Sequence, residues 1–291
     1  MKPAPFEYFA PRTLDEALDL LESEGSEARV IAGGQSLVPM LALRLARPEV
    51  LIDLNRIPEL SGIRQEGSTI HIGAMTRQAH ALASSLVFEQ LPLLHYGLQN
   101  VGHPPTRARG TLGGSLSHAD PAAETPAVML AYKADMVLKS KQGERIIPAD
   151  EFTLGTFDTA IEPGEILAEI RVQAKPNEGA ALVELSRRKG DFAMASAAAR
   201  VSLAADGTCA EAHLIVGAVA PVPLRFDAVT DALKGQKFSE AVVREALELM
   251  DLELFEFDNE DICLEYRRKI GPVMAERALL QAFKRAEGMQ K

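Results

Sequence analysis

The chain has 291 residues, 47% hydrophobic and 25% charged, with a formal net charge of −10 and two cysteines, Cys209 and Cys263. That length suits about two domains of ordinary globular composition, and the acidic balance argues against nucleic acid, whose phosphates need concentrated Lys and Arg. Two cysteines cannot build a disulfide framework or supply the four thiolates of an iron–sulfur cluster, and no apolar run nears the roughly 20 residues of a membrane span.

The opening Met-Lys-Pro-Ala-Pro-Phe lacks the apolar core of a signal peptide, so a cytoplasmic protein is expected. Thr13 with Glu16 forms a capping box, and Leu14, Ala17, Leu18 and Leu21 mark one helix face that ends near Gly25. A strand follows at 29–32, then the pair Gly33-Gly34, then a helix from Ser36 to Arg47 that stops before Pro48. Val50 to Leu54 is a second strand, and residues 1–57 form a first β-α-β unit.

A second unit spans 58–177. It starts with a hairpin of 63–65 and 69–73 around Gly67, continues with helices at 77–83 and 91–99, and reaches His103-Pro-Pro105, which no helix interior tolerates. The segment Arg109-Gly-Thr-Leu-Gly-Gly-Ser-Leu-Ser-His-Ala-Asp120 reads as a second glycine loop, and Ala122 to Tyr132 as a buried helix. Strands are expected at 136–139, 144–147 and 166–172. From 178 to 291 the pattern changes to a three-stranded antiparallel meander at 180–187, 195–204 and 210–219, with Asp206-Gly207 as a hairpin turn. Helices follow at 227–233, 239–250 and 260–286, the last interrupted near Gly271-Pro272. Strands followed by helices make this an α+β domain.

Candidate chemistry concentrates in three stretches. Ala32-Gly-Gly-Gln-Ser36 joins a strand to a helix start, where glycine allows positive φ and unpaired N–H groups face outward, an arrangement suited to phosphate. Thr111-Leu-Gly-Gly-Ser115 repeats the composition, flanked by Arg107 and Arg109. Singly, each reads equally as a tight turn; together, with hydroxyls beside both, they suggest a ligand with two phosphates, or a phosphate and a sugar. Neither fits G-x-G-x-x-G or the P-loop pattern, which disfavours a Rossmann site and a nucleoside triphosphatase. Asp120 either caps the following helix or accepts from a ligand hydroxyl. Arg187-Arg-Lys-Gly-Asp-Phe-Ala193 is a charged bend with one aromatic face. The six histidines show no metal spacing: His71 sits between Ile70 and Ile72 as an outward strand residue, and only His118 lies within a candidate loop. Without a nucleophile elbow or metal set, any catalysis falls to a bound cofactor.

The three stretches together, A-G-G-Q-S-L-V-P at 32–39, R-G-T-L-G-G-S-L at 109–116 with A-D-P at 119–121, and R-R-K-G-D-F-A at 187–193, resemble the FAD-binding medium subunits of bacterial molybdenum hydroxylases. The resemblance covers essentially the whole chain. It implies a vanillyl-alcohol-oxidase or PCMH-type fold, with two α/β subdomains holding FAD and a C-terminal α+β domain. It also implies that Ala32, Gly33, Gly34, Gln35 and Ser36, with Thr111, Leu112, Gly113, Gly114 and Ser115, hold the FAD pyrophosphate. Asp120 would lie on the ribityl–adenosine side, and Lys189, Asp191 and Phe192 near the isoalloxazine. Such subunits work with a small subunit carrying two [2Fe–2S] clusters and a large subunit carrying the molybdenum cofactor, commonly as a dimer of heterotrimers. Electrons cross the clusters to FAD and leave to an external acceptor. This chain departs from the common I-R-N-R-G-T with Thr106-Arg-Ala-Arg-Gly-Thr111, and has Phe192 where some relatives have tyrosine. Two other readings stay open: a self-contained PCMH-type flavin oxidoreductase, and a non-catalytic assembly or nucleotide-binding subunit.

Overall fold

In a computed structural model, which describes residues 2–259 and 262–289, the described residues form three larger sheets in sequence order and a two-stranded one within the second unit. The first unit contains β1 (Glu7–Phe9), α1 (Leu14–Glu24), β2 (Ala28–Ile31), α2 (Leu37–Ala42) and β3 (Val50–Asp53). Its parallel sheet has the order β1-β3-β2. Thr13 caps α1 as expected, accepting the Glu16 N–H at 3.2 Å. The Glu16 carboxylate accepts from the Arg12 N–H at 2.7 Å instead of closing back on Thr13. The expected helix over 36–47 is only α2, because Arg44 takes a left-handed φ of 59° and the chain turns out of the helix.

The second unit contains β4 (Ile63–Glu66), β5 (Thr69–Gly73), α3 (Gln78–Ala83), α4 (Ser85–Gln90), α5 (Pro92–Asn100), α6 (Pro104–Arg109), α7 (Leu112–His118) and α8 (Glu124–Tyr132). It continues with β6 (Asp135–Ser140), β7 (Gly143–Pro148), α9 (Ala149–Phe152), β8 (Thr153–Gly155), β9 (Asp158–Thr159) and β10 (Ile166–Gln173). Five strands pair antiparallel in the order β4-β5-β10-β6-β7. Their inner face, with Ile70, Ile72, Met136, Leu138, Ile170 and Val172, packs under the helices in one large core. His71 points to the opposite face as expected. That face carries an ion-pair layer, where His71 Nδ1 lies 3.0 Å from Glu169, so the imidazole is mostly covered.

The third unit contains β11 (Gly179–Leu185), β12 (Ala195–Leu203), β13 (Cys209–Gly217), β14 (Leu224–Arg225), α10 (Asp227–Leu233), α11 (Glu240–Leu247) and α12 (Leu264–Met289). Its antiparallel sheet has four strands, not three: β14 adds two residues beside Ile215 and Val216 of β13, too few to show any alternation in sequence. Alternate residues face two different cores. Ala180, Leu182 and Ala198 join the central core, while Ala181, Ala197 and Ala199 pack toward α12. Burial on both faces explains why β12 shows no apolar–polar alternation and carries three successive alanines at 197–199. The helix expected over 260–286 begins at Leu264 among the described residues; residues 260 and 261 lie outside them. It runs without a break through Pro272. Packing outweighs the lost hydrogen bond there: Ile270, Met274, Ala275, Ala278 and Leu279 are buried, and Gly271 lies so close to the Phe255 ring that a Cβ would meet it at 2.4 Å.

Candidate functional site

The first and second glycine stretches are in direct contact. A Cβ on Gly33 would lie 2.3 Å from the Arg109 carbonyl oxygen and 2.8 Å from the Gly110 Cα, so only glycine permits this approach. A Cβ on Gly114 would meet the Thr111 hydroxyl oxygen at 2.6 Å and the Ala32 Cβ at 3.3 Å. Gly34 uses its freedom differently, with φ at 71° where the chain leaves β2.

The two stretches differ in what they leave open. Among the described residues, the N–H groups of Gln35, Ser36 and Leu37 have no protein acceptor, as expected for a helix's first turn, and the Ser36 hydroxyl caps nothing. The Gln35 side-chain amide turns back to the Gly33 carbonyl at 3.3 Å. The second stretch is not a loop but the start of α7, capped by Thr111, whose hydroxyl accepts the Gly114 N–H at 3.0 Å. Its other amides are engaged: Leu112 donates to the Thr76 carbonyl at 3.1 Å and Gly113 to Ala74 at 2.8 Å. The Ser115 hydroxyl pairs with buried Thr125 at 2.6 Å. Open donors therefore come from residues 35–37, and Thr111 to Ser115 supply a close-packed wall against Ala32.

Asp120 does not open a helix. It sits in the link between α7 and α8, where its carboxylate accepts the Ala122 N–H at 2.9 Å, and α8 starts at Glu124. Arg107 turns away and donates to the carbonyls of Val101 and Gly102 at 2.7 and 3.1 Å, while Arg109 is exposed. His118 stacks in a tilted pair on Phe157 at 4.9 Å. Burial lowers the His118 pKa, opposed by the Asp120 charge. Phe157, exposed and at a left-handed φ of 57°, carried no signal in sequence.

The third stretch lies across α6 from the other two. At Gly190, with φ at 90°, a Cβ would fall 2.5 Å from the His103 ring and 3.0 Å from the Gly102 carbonyl. This bend is therefore seated on the cap of α6, roughly 9 Å of six-residue helix away from Arg109. Lys189, Asp191 and Phe192 are exposed, Phe192 at 71%. Among the described residues, no group of three or more His, Cys, Asp or Glu side chains is arranged to hold a metal, and no helix is long and apolar enough to cross a membrane.

Behind these stretches lie two carboxyls that sequence reasoning overlooked. Burial, then the nearby Glu184 charge and Asp120, push Glu124 up to about 8 against a weaker pull from Arg107. Burial alone pushes Glu184, one of whose oxygens is enclosed without a partner, up to about 7. A carboxyl whose folded pKa is raised favours folding while neutral, and that contribution is lost as pH climbs through its folded pKa. The thermal midpoint of the cofactor-free protein is thus expected to fall from about pH 4.5 to about pH 8 and to level off above that. Glu124→Gln should flatten that fall in a scanning-calorimetry series, and an unchanged slope in the variant would refute the assignment.

Residues 4–174 match the family described as the FAD binding domain in molybdopterin dehydrogenase, and residues 180–282 match the CO dehydrogenase flavoprotein C-terminal domain. The chain is 39% identical to the alpha subunit of the 6-hydroxypseudooxynicotine dehydrogenase complex of Paenarthrobacter nicotinovorans, over 98% of this chain and 97% of that one. A carbon monoxide dehydrogenase structure from Hydrogenophaga pseudoflava superposes with a TM-score of 0.94 at 41% identity, covering 98% of this chain and 99% of the other. The quinoline 2-oxidoreductase of Pseudomonas putida 86 gives 0.93 at 35% identity, with full coverage of both.

Proposed function

The chain belongs to the FAD-binding medium subunits of the molybdopterin hydroxylases, a family of oxidoreductases that includes CO dehydrogenase and quinoline oxidoreductase, and on that premise we propose that it is the electron-transfer flavoprotein of such a complex. In this reading it takes electrons from [2Fe–2S] clusters on a small partner subunit and passes them to an external acceptor. A large partner subunit carries the molybdenum cofactor, and two such heterotrimers assemble. The fold takes the PCMH-type name on the same grounds.

The observation that carries the proposal is the contact of Gly33 with Arg109 and of Gly114 with Ala32, beside three unspent amides at 35–37. These residues fit a diphosphate: a cradle too tight for any Cβ, donors facing outward and Arg109 alongside. FAD bound there supplies the conversion between paired and single electrons. The chain's own contribution is to fix the diphosphate between Ala32–Ser36 and Thr111–Ser115. Asp120 is available to ribityl or ribose hydroxyls, and Lys189, Asp191 and Phe192 offer a polar and aromatic edge to the isoalloxazine.

The test is to purify the protein with its partners and extract the pigment. One FAD per chain is expected, reducible in the complex by the substrate of the molybdenum subunit. A colourless complex, or flavin that stays oxidised while the iron–sulfur signals are reduced, would sink the proposal.

A further inference from the structure

Two polar side chains outside the three stretches tie the first to the second. Asn55 follows β3, and its side-chain amide donates to the Ala32 carbonyl at 2.8 Å and to the Asp53 carboxylate at 2.5 Å. The same Asp53 oxygen accepts the Asn55 N–H at 2.8 Å, and its other oxygen accepts from the Tyr8 hydroxyl, so Asn55 is held from two sides. Arg77 occupies the cap of α3 and forks. One guanidinium nitrogen donates to the Asn55 side-chain oxygen at 2.5 Å, the other to the Arg109 carbonyl. That carbonyl is the group a Cβ on Gly33 would strike.

The result is a continuous link from the Ala32 carbonyl through Asn55 and Arg77 to the Arg109 carbonyl. It runs alongside the direct contact between the glycine stretches. Arg77 holds two acceptors at once, the Asn55 side-chain oxygen and the Arg109 carbonyl, and a planar two-nitrogen fork suits that task better than an ammonium. An isolated bridge pairs Arg77 with Thr111, which places the brace next to the cap of α7 as well. Burial, then the Arg109 charge, lowers the Arg77 pKa, so two guanidinium groups stand together at this seam.

We infer that Arg77 and Asn55 are positioning residues for the cofactor: they set the spacing between Ala32–Ser36 and Arg109–Ser115, and thereby how tightly a diphosphate is held, acting through the carbonyls of Ala32 and Arg109. The inference builds on the FAD assignment proposed above. It names residues that only a folded chain brings together, since they lie 22 positions apart in sequence.

The experiment measures FAD and ADP dissociation constants for the full-length protein and for Arg77→Gln, Arg77→Lys, Asn55→Ala and the Arg77→Gln/Asn55→Ala double variant, with apoprotein thermal midpoints alongside. Both ligands should bind about 10- to 100-fold more weakly to each single variant, the scale at which a supporting residue alters a bound group. Lysine should not rescue, because its donors share one nitrogen and lack the two-nitrogen fork that spans both acceptors. The double variant should lose little more than the worse single one, since both act through one link. A purely structural role would instead lower the apoprotein midpoint and leave the constants of the folded fraction unchanged. Constants within twofold of the unaltered protein, or losses that add in full, would overturn the brace while leaving FAD in place. Should Arg77→Gln fail to fold, Asn55→Ala and Arg77→Lys decide the question. An unaltered protein that takes up neither FAD nor ADP would overturn the cofactor assignment itself, and the brace with it.

Discussion

A Gly33→Ala protein is expected to fold and to retain FAD at least about 100-fold less tightly than the unaltered chain. The reason is geometric. The added methyl would sit 2.3 Å from the Arg109 carbonyl oxygen, a backbone atom that no side-chain rotation can move aside. The two stretches must therefore part by about 1 Å, enough to spoil a diphosphate clamp. Overpacking of this kind costs about 1–3 kcal/mol, which a domain stable by about 5–15 kcal/mol survives. Gly114→Ala makes a useful contrast. Its methyl meets the Thr111 hydroxyl, which can rotate away at the cost of a helix cap, worth about 1 kcal/mol, so the flavin loss should be smaller. Flavin absorbance per mole of purified protein, with far-ultraviolet circular dichroism as the folding control, reads both. Stoichiometric FAD in folded Gly33→Ala would count against the clamp.

Local signals in the sequence proved dependable where a structure is made locally. The Thr13 cap, the Gly25 exit at φ 54° and the hairpin at Gly207 all sit where the residues put them. What escaped depends on distant partners. β1 is three residues that become a strand only by lying parallel to β3, and β14 is two residues beside β13. The prolines at 104 and 105 argued correctly against a helix interior, yet Pro104 takes the first position of α6, where its missing N–H costs nothing. At the site, the glycine pairs were visible because glycine answers to steric need. The consumption of the Leu112 and Gly113 amides by Thr76 and Ala74 was not, because those acceptors come from the end of another hairpin. Arg77 and Asn55 look in sequence like solvated residues. Glu124 falls in the helix read as buried, but its approach to Glu184, from a distant part of the chain, is visible only in the fold.

The largest stability effect should come from a second long-range feature, the buried pair Arg200 and Glu178. Arg200 is 2% exposed on β12, and its guanidinium meets the Glu178 carboxylate at 2.7 to 3.0 Å in a two-point pair. It also donates to the Ala131 carbonyl at the end of α8 and lies 4.5 Å over the Tyr132 ring. Tyr132 in turn accepts the Leu93 N–H at 2.9 Å, so one guanidinium links the residue preceding β11 to β12, α8 and α5 across the seam between the second and third units. Removing one partner strands a charge that water cannot reach. Glu178→Ala should therefore destabilise by about 3–5 kcal/mol. At about 2–4 °C per kcal/mol for a chain of this size, the thermal midpoint would drop by roughly 6–20 °C. Replacing both groups with apolar residues of similar volume, as in Arg200→Met with Glu178→Leu, removes the stranded charge and should recover much of that loss. Midpoints of the cofactor-free proteins separate this effect from stabilisation by bound FAD. A Glu178→Ala midpoint within about 2 °C of the unaltered protein would mean that the seam is held by its apolar contacts and that the ion pair contributes little to it.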